Sequence, residues 1–295
     1  MKPPAFTFAR PSTREQVDAA LTSRGADCRI LAGGQTLVPM LCRRQVRPAH
    51  VVDITGLTGE RRAAEHADDR LVCGPLVRLS SLADDPVVRA RLPVLPRLLA
   101  RVGTPAVRNR ATLVGNLVAA DRASELPALV VLLGGHARVR TPDGHRRVDL
   151  ALAATRWLRT GPDPTGWVDE IAVRLPAAGT RMAFVELSRR FGSRAIAGAV
   201  ASASPAPGGR ARLAVAVFGA SPVPLRLDLG VVEEREISGR PGRDPLADRM
   251  ADTLAPLLDD VDDAHATGRY RRLVAPRVAA RCLRAAMTGQ HGDAS

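Results

Sequence analysis

The sequence is poor in aromatic residues, which make up 3% of its 295 positions, and Lys2 is its only lysine. So few rings leave little on which bases could stack, and the formal charge of +13 is carried by arginines spread along the whole chain. Nucleic acid is therefore not an expected partner, whereas a basic face meeting an acidic protein fits the pattern. Without lysine beyond position 2, a G-x-x-x-x-G-K-S/T phosphate loop is excluded. There is also no G-x-G-x-x-G after a strand, no G-x-S-x-G elbow and no H-E-x-x-H helix, so common nucleotide-binding and hydrolase chemistries have no starting point. Cys28, Cys42, Cys73 and Cys282 are dispersed, with no C-x-x-C, and the six histidines are scattered. This argues against zinc or an iron–sulfur cluster held by this chain; no metal is expected on it. No run approaches the ~20 apolar residues of a membrane span. The start, Met1-Lys2-Pro3-Pro4, lacks the apolar segment of a signal peptide, so a cytoplasmic protein without a membrane span is expected.

What is present is a pair of glycine-containing loops. In Ile30-Leu31-Ala32-Gly33-Gly34-Gln35-Thr36-Leu37 a short apolar strand runs into a Gly-Gly turn and then a helix starting at Thr36, whose first N–H groups would face an anion. Further on, Thr112-Leu113-Val114-Gly115-Asn116 offers a hydroxyl, backbone N–H groups and an amide within five residues, suited to phosphates or hydroxyls. Ser124-Glu125-Leu126-Pro127 then opens an apolar helix, with Ser124 as N-cap and Glu125 in the first turn.

In chain order, Phe6 to Ala9 predicts a strand, and Ser12-Thr13-Arg14-Glu15 a capping box before a helix that ends at Gly25. Strand Cys28 to Leu31, helix Thr36 to Arg44 and strand His50 to Ile54 complete a βαβ-like lobe over residues 1–56. A second lobe, 57–176, holds strand Leu71 to Cys73, helices Leu79 to Ala83, Val94 to Val102 and Glu125 to Leu133, and a hairpin of Ala137 to Arg140 and His145 to Asp149. Trp157 to Trp167, with Gly161-Pro162-Asp163-Pro164-Thr165, reads as a loop, and Glu170 to Leu175 as a closing strand. Residues 177–295 read as a meander (Met182 to Ser188, Ala195 to Ala203, Arg212 to Phe218, Pro224 to Asp228). Helices Pro245 to Leu258 and Gly268 to Met287 follow, the latter placing Tyr270, Leu273, Val274, Val278 and Leu283 on one side.

The two loops, about eighty residues apart, together resemble the FAD-binding loops of the medium, flavin-carrying subunit of molybdenum hydroxylases, as in carbon monoxide and xanthine dehydrogenases. The family's A-G-G-x-S-L stands as Ala32 to Leu37, R-N-x-G-T-I-G-G-N as Arg108 to Asn116, and D-P-x-S-D/E-x-P as Asp121 to Pro127. The resemblance implies an α+β chain: a two-lobed PCMH-type FAD-binding domain followed by a domain of antiparallel sheet plus helices. It implies noncovalent FAD, with Leu31, Ala32, Gly33, Gly34, Gln35, Thr36 and Leu37 around the pyrophosphate. Thr112, Leu113, Val114, Gly115 and Asn116 would lie along the ribityl chain and flavin edge, with Glu125 and Ile171 near the cofactor and no catalytic residue. The implied role is electron transfer from the clusters of a 2Fe-2S small subunit through FAD to an external acceptor, beside a large molybdopterin subunit. A free-standing FAD-dependent oxidoreductase of the same fold, or a scaffold that has lost its cofactor, is the other reading. Against the family pattern, Ala111 and Val114 replace glycines, Arg122 a proline and Ser193 a common aspartate. Some members have lysine at the position of Glu186. Val114 is expected to narrow the groove and to deny a positive φ there.

Overall fold

The computed structural model describes residues 2–60, 64–67, 69–119, 121–160, 166–237, 244–259 and 262–289. Strand β1 (Thr7–Ala9) leads to helix α1 (Arg14–Arg24). The capping box of α1 lies one residue later than the sequence pattern placed it: Thr13 Oγ1 accepts from the Gln16 N–H while the Gln16 side chain accepts from the Thr13 N–H. Strand β2 (Cys28–Leu31), helix α2 (Leu37–Cys42) and strand β3 (His50–Asp53) follow, giving a parallel sheet in the order β1-β3-β2.

The next unit is built on an antiparallel sheet in the order β4-β5-β8-β6-β7. Its strands are β4 (Glu65–Ala67), β5 (Arg70–Cys73), β6 (Gly135–Thr141), β7 (Gly144–Asp149) and β8 (Trp167–Arg174). Its helices are α3 (Leu79–Asp84), α4 (Pro86–Arg91), α5 (Val94–Arg101), α6 (Pro105–Arg108), α7 (Leu113–Val118), α8 (Glu125–Leu133) and α9 (Leu150–Thr160). Helix α9 overturns part of the expected loop, since Trp157 is helical; residues Gly161 to Thr165 lie outside the described residues. Its signal was in the sequence: Leu150, Ala153, Ala154 and Trp157 recur at helical spacing and are buried.

The third sheet is the expected meander, β9 (Arg181–Ser188), β10 (Ala195–Ala206), β11 (Arg210–Phe218) and β12 (Leu225–Val232), all antiparallel. Helices α10 (Glu234–Ile237), α11 (Pro245–Leu254) and α12 (Gly268–Thr288) complete the chain. After Leu254 a 3-10 turn replaces the last turn of the expected helix, consistent with Pro256 having no N–H to continue it. Along α12, Val274, Val278 and Leu283 are buried, but Tyr270 and Leu273 are exposed, so the expected single apolar side is narrower.

Successive strand residues point to opposite faces, so the third sheet is covered on both. Val200, Ala214, Ala216 and Phe218 join the core of the second unit against α8, while Ala199, Ala201, Val215 and Val217 share a core with Ala279 and Leu283 of α12. The first unit is clasped to the second by polar contacts. Asp18 of α1 accepts from Trp167 Nε1 at 2.8 Å and from Arg140, and Asp169, fully buried, receives Arg14 at 2.8 Å and Arg138 at 2.9 Å.

Candidate functional site

The first loop leaves β2 at Leu31 and turns through Gly34, whose φ of +73° is one that side-chain-bearing residues rarely adopt. Val38 N donates to Gly34 O and Gln35 Nε2 to Gly33 O, which fixes the turn. Among the described residues, the amides of Gly34, Gln35, Thr36 and Leu37 donate to no other group, leaving a run of N–H donors suited to phosphate oxygens. Gly33 does a different job. A Cβ there would stand 2.8 Å from Ala111 Cα and closer still to Arg110 O, so its missing side chain is what lets the two loops touch.

The second loop is stitched in place around Thr112. Its Oγ1 accepts from Gly115 N at 3.0 Å as the N-cap of α7, Leu113 N donates to Val77 O, and Leu79 N donates to Ala111 O. Val114 lies inside α7, and among the described residues Arg44 alone of the non-glycines has a positive φ, so the expectation that Val114 denies a needed left-handed conformation is wrong. It is nonetheless buried, and it lines the cavity between the loops.

That cavity measures about 1040 Å³, at the top of the ~300–1,000 Å³ range of small-molecule sites. Ala32, Gly33, Gly34, Gln35, Thr36 and Leu37 form one wall, and Thr112, Val114, Gly115 and Asn116 another. Four sequence-selected residues do not line it. Leu31 belongs to β2, Leu113 is buried in the core, Ile171 is fully buried on β8 between Cys73 and Ala137, and Glu125 faces elsewhere. Sequence reasoning missed the third wall: Arg146 and Val148 of β7, Asp149, and Leu152, Arg156 and Trp157 of α9, with Arg29 across from them on the first unit. Leu152 is 73% exposed although apolar, which suits a surface that a ligand covers. The size, the free amides and the cationic wall fit a dinucleotide diphosphate such as FAD.

Glu125, the first residue of α8, is buried and faces Glu186 of β9, also buried. Burial first, and then the Glu186 charge, push the Glu125 carboxyl up to about 8, and burial raises Glu186. Between Glu125 and the cavity, Ser124 Oγ donates to Asn116 Oδ1 at 2.8 Å. The segment after β9 folds onto the second unit: Arg101 lies 4.4 Å from the centre of the Phe191 ring, and Arg194 pairs with Asp121 at 2.7 Å. Ser193, in place of the common aspartate, bonds among the described residues only within its own turn, to Arg190 O at 2.8 Å.

Among the described residues no group of three or more His, Cys, Asp or Glu side chains is placed to hold a metal ion. No described helix is long and apolar enough to cross a membrane.

Comparison with known proteins converges on one family. Residues 4–173 match the model of the FAD binding domain in molybdopterin dehydrogenase. The chain is 30% identical over 290 residues to the 6-hydroxypseudooxynicotine dehydrogenase complex subunit alpha of Paenarthrobacter nicotinovorans, covering 97% of this chain and 96% of that protein. It is 27% identical over 286 residues to the carbon monoxide dehydrogenase medium chain of Hydrogenophaga pseudoflava, covering 97% and 98%. Among solved structures, carbon monoxide dehydrogenase from Hydrogenophaga pseudoflava superposes with a TM-score of 0.84 at 27% identity, over 98% of this chain and 99% of that one. Quinoline 2-oxidoreductase from Pseudomonas putida 86 does so with 0.83 at 28% identity and the same coverage. The sequence match over most of the chain and the loops that meet across the cavity lead to the same conclusion: the chain belongs to the family of FAD-binding domains of molybdopterin dehydrogenases.

Proposed function

We propose that the chain is the electron-transfer subunit of a multi-subunit molybdenum hydroxylase, carrying FAD noncovalently between the two loops. The observation that supports this best is the seat of Gly33 on Ala111, which closes both loops around a cavity of dinucleotide size. FAD, when bound, accepts electrons singly or in pairs and delivers them in the other mode. The amides of Gly34 to Leu37 hold its phosphates, Arg146 and Arg156 balance their charge, and Asn116 and Gly115 orient the polar chain. In this reading residues 1–56 and 57–176 form the flavin-binding lobes, and 177–295 is the domain that docks the partners. Those partners are a 2Fe-2S small subunit that delivers electrons and a large molybdopterin subunit where substrate is oxidised, in a cytoplasmic complex with no metal on this chain.

A free-standing oxidoreductase is less well supported. Asp149 is the only carboxylate on the described cavity wall, and one of its oxygens is engaged as it accepts from Leu152 N at 3.0 Å, so a single, half-engaged carboxylate is all the wall offers for proton transfer. The discriminating experiment is anaerobic flavin reduction by an N-heterocycle, an aldehyde or carbon monoxide, with the chain alone and then co-expressed with its partner subunits. Reduction only in the complex is expected; turnover by the isolated chain would favour the free-standing enzyme.

A further inference from the structure

Glu125 and Glu186 come from different parts of the chain, one opening α8 in the flavin-binding region and one on β9 of the third sheet. Both are at least nine-tenths buried, with exposures of 6% and 5%, and among the described residues neither Glu186 oxygen has a hydrogen-bond partner. The groups that act on them give one positive charge for three acids. Glu125 is influenced by Glu186 and Asp121, whereas Glu186 is influenced by the Ser188 hydroxyl, Arg101 and Glu125. Arg101 is also engaged by the Phe191 ring, and Asp121 by Arg194. Two buried carboxylates that act on each other with so little opposing charge do not both stay ionised; one keeps its proton.

We propose that Glu125 and Glu186 share one proton across the junction between the flavin-binding region and the third sheet, and that losing it loosens the junction and the cavity wall at Asn116. The path to the cavity is short. Ser124, next to Glu125, holds Asn116 Oδ1, and Asn116 lines the cavity. The effect on flavin rests on the function proposed above; the shared proton does not.

The sign of the pH effect follows from the raised carboxyls. The folded chain keeps a proton that the unfolded chain releases near the ordinary glutamate range, so stability falls as pH rises from that range through about 8 and is lowest above it. A glutamate whose carboxyl is unchanged by folding would give no such slope.

The test uses the full chain without flavin, melted at intervals from about pH 6 to about pH 9. The melting temperature of the wild type should fall with pH, and Glu186→Gln should flatten the fall and melt above the wild type at the alkaline end. Infrared difference spectra provide a second reading independent of stability. The wild type near neutral pH should show a protonated-carboxyl band that disappears as pH passes about 8 and is missing in a Glu125→Gln/Glu186→Gln double variant. In the flavin arm, FAD affinity of the wild type should weaken roughly tenfold over the same rise, and that of Glu186→Gln should weaken less, because burial alone still raises Glu125. No protonated band, or the same pH slope in wild type and Glu186→Gln, would overturn the shared proton. A chain that binds no FAD at any pH would count against the proposed function alone, because the flavin-free arms still decide the pair.

Discussion

Gly33 rests on the backbone of Ala111, with only 2.8 Å to Ala111 Cα for any Cβ it might carry. The two loops that line the cavity are thus in van der Waals contact through a missing side chain.

Gly33→Ala should therefore be more damaging than Gly34→Ala. At Gly33 the obstacle is backbone that cannot rotate away, so a loss of about 2–3 kcal/mol and of FAD binding is expected. At Gly34 the strain is that of a left-handed residue, about 1 kcal/mol, with contacts to Val38 and Leu31 at 3.3 and 3.4 Å that can relax. Thermal melts and flavin titrations of the two variants would rank them; equal effects would contradict the contact.

Val114→Gly separates the sequence reading from the structure. Placed inside α7, a glycine costs helix stability and leaves a void, about 1–2 kcal/mol, without supplying any conformation the loop requires. Chemical denaturation should show the loss; a more stable variant would show that this position strains the native loop after all.

Arg156→Ala tests the wall that sequence reasoning missed. Removing one cation beside a diphosphate should weaken FAD about tenfold and reduce the salt dependence of binding. Fluorescence titration at two ionic strengths provides the comparison, and unchanged affinity would remove Arg156 from the site.

Asp18→Asn addresses how the cavity is closed from outside. Asp18 joins α1 to Trp167 and Arg140, so the amide should destabilise the chain by about 1–3 kcal/mol and weaken FAD in parallel. Urea denaturation with and without FAD would check both effects.

Much of this was legible in the chain. Gly33-Gly34 and Thr112 to Asn116 announced turns by composition, the Pro142-Asp143-Gly144 signal placed the hairpin of β6 and β7, and the meander of β9 to β12 was marked by its Gly/Pro breaks. What stayed hidden depended on distant contacts. That Gly33 serves the contact with Ala111, while the amides from Gly34 onward are left to face the cavity, follows only once the loops are side by side. Helix α9 was masked by the Gly/Pro cluster beginning at Gly161, which drew Trp157 into a loop reading. Leu113 lies within a matched motif, Leu31 beside one and Ile171 at an apolar family position, but such a match does not say which way a side chain points. In sequence Glu186 is only a departure from the lysine of some relatives; its opposition to Glu125 requires the third sheet to fold back on α8.

The central claim, one FAD held noncovalently between the two loops, is tested most directly by the flavin content of the purified chain after acid precipitation. The account predicts a yellow protein that releases FAD, at about one per chain, into the supernatant and leaves a colourless pellet. Colour retained in the pellet would contradict noncovalent binding, and a protein that neither carries FAD nor takes it up on titration would contradict the site itself.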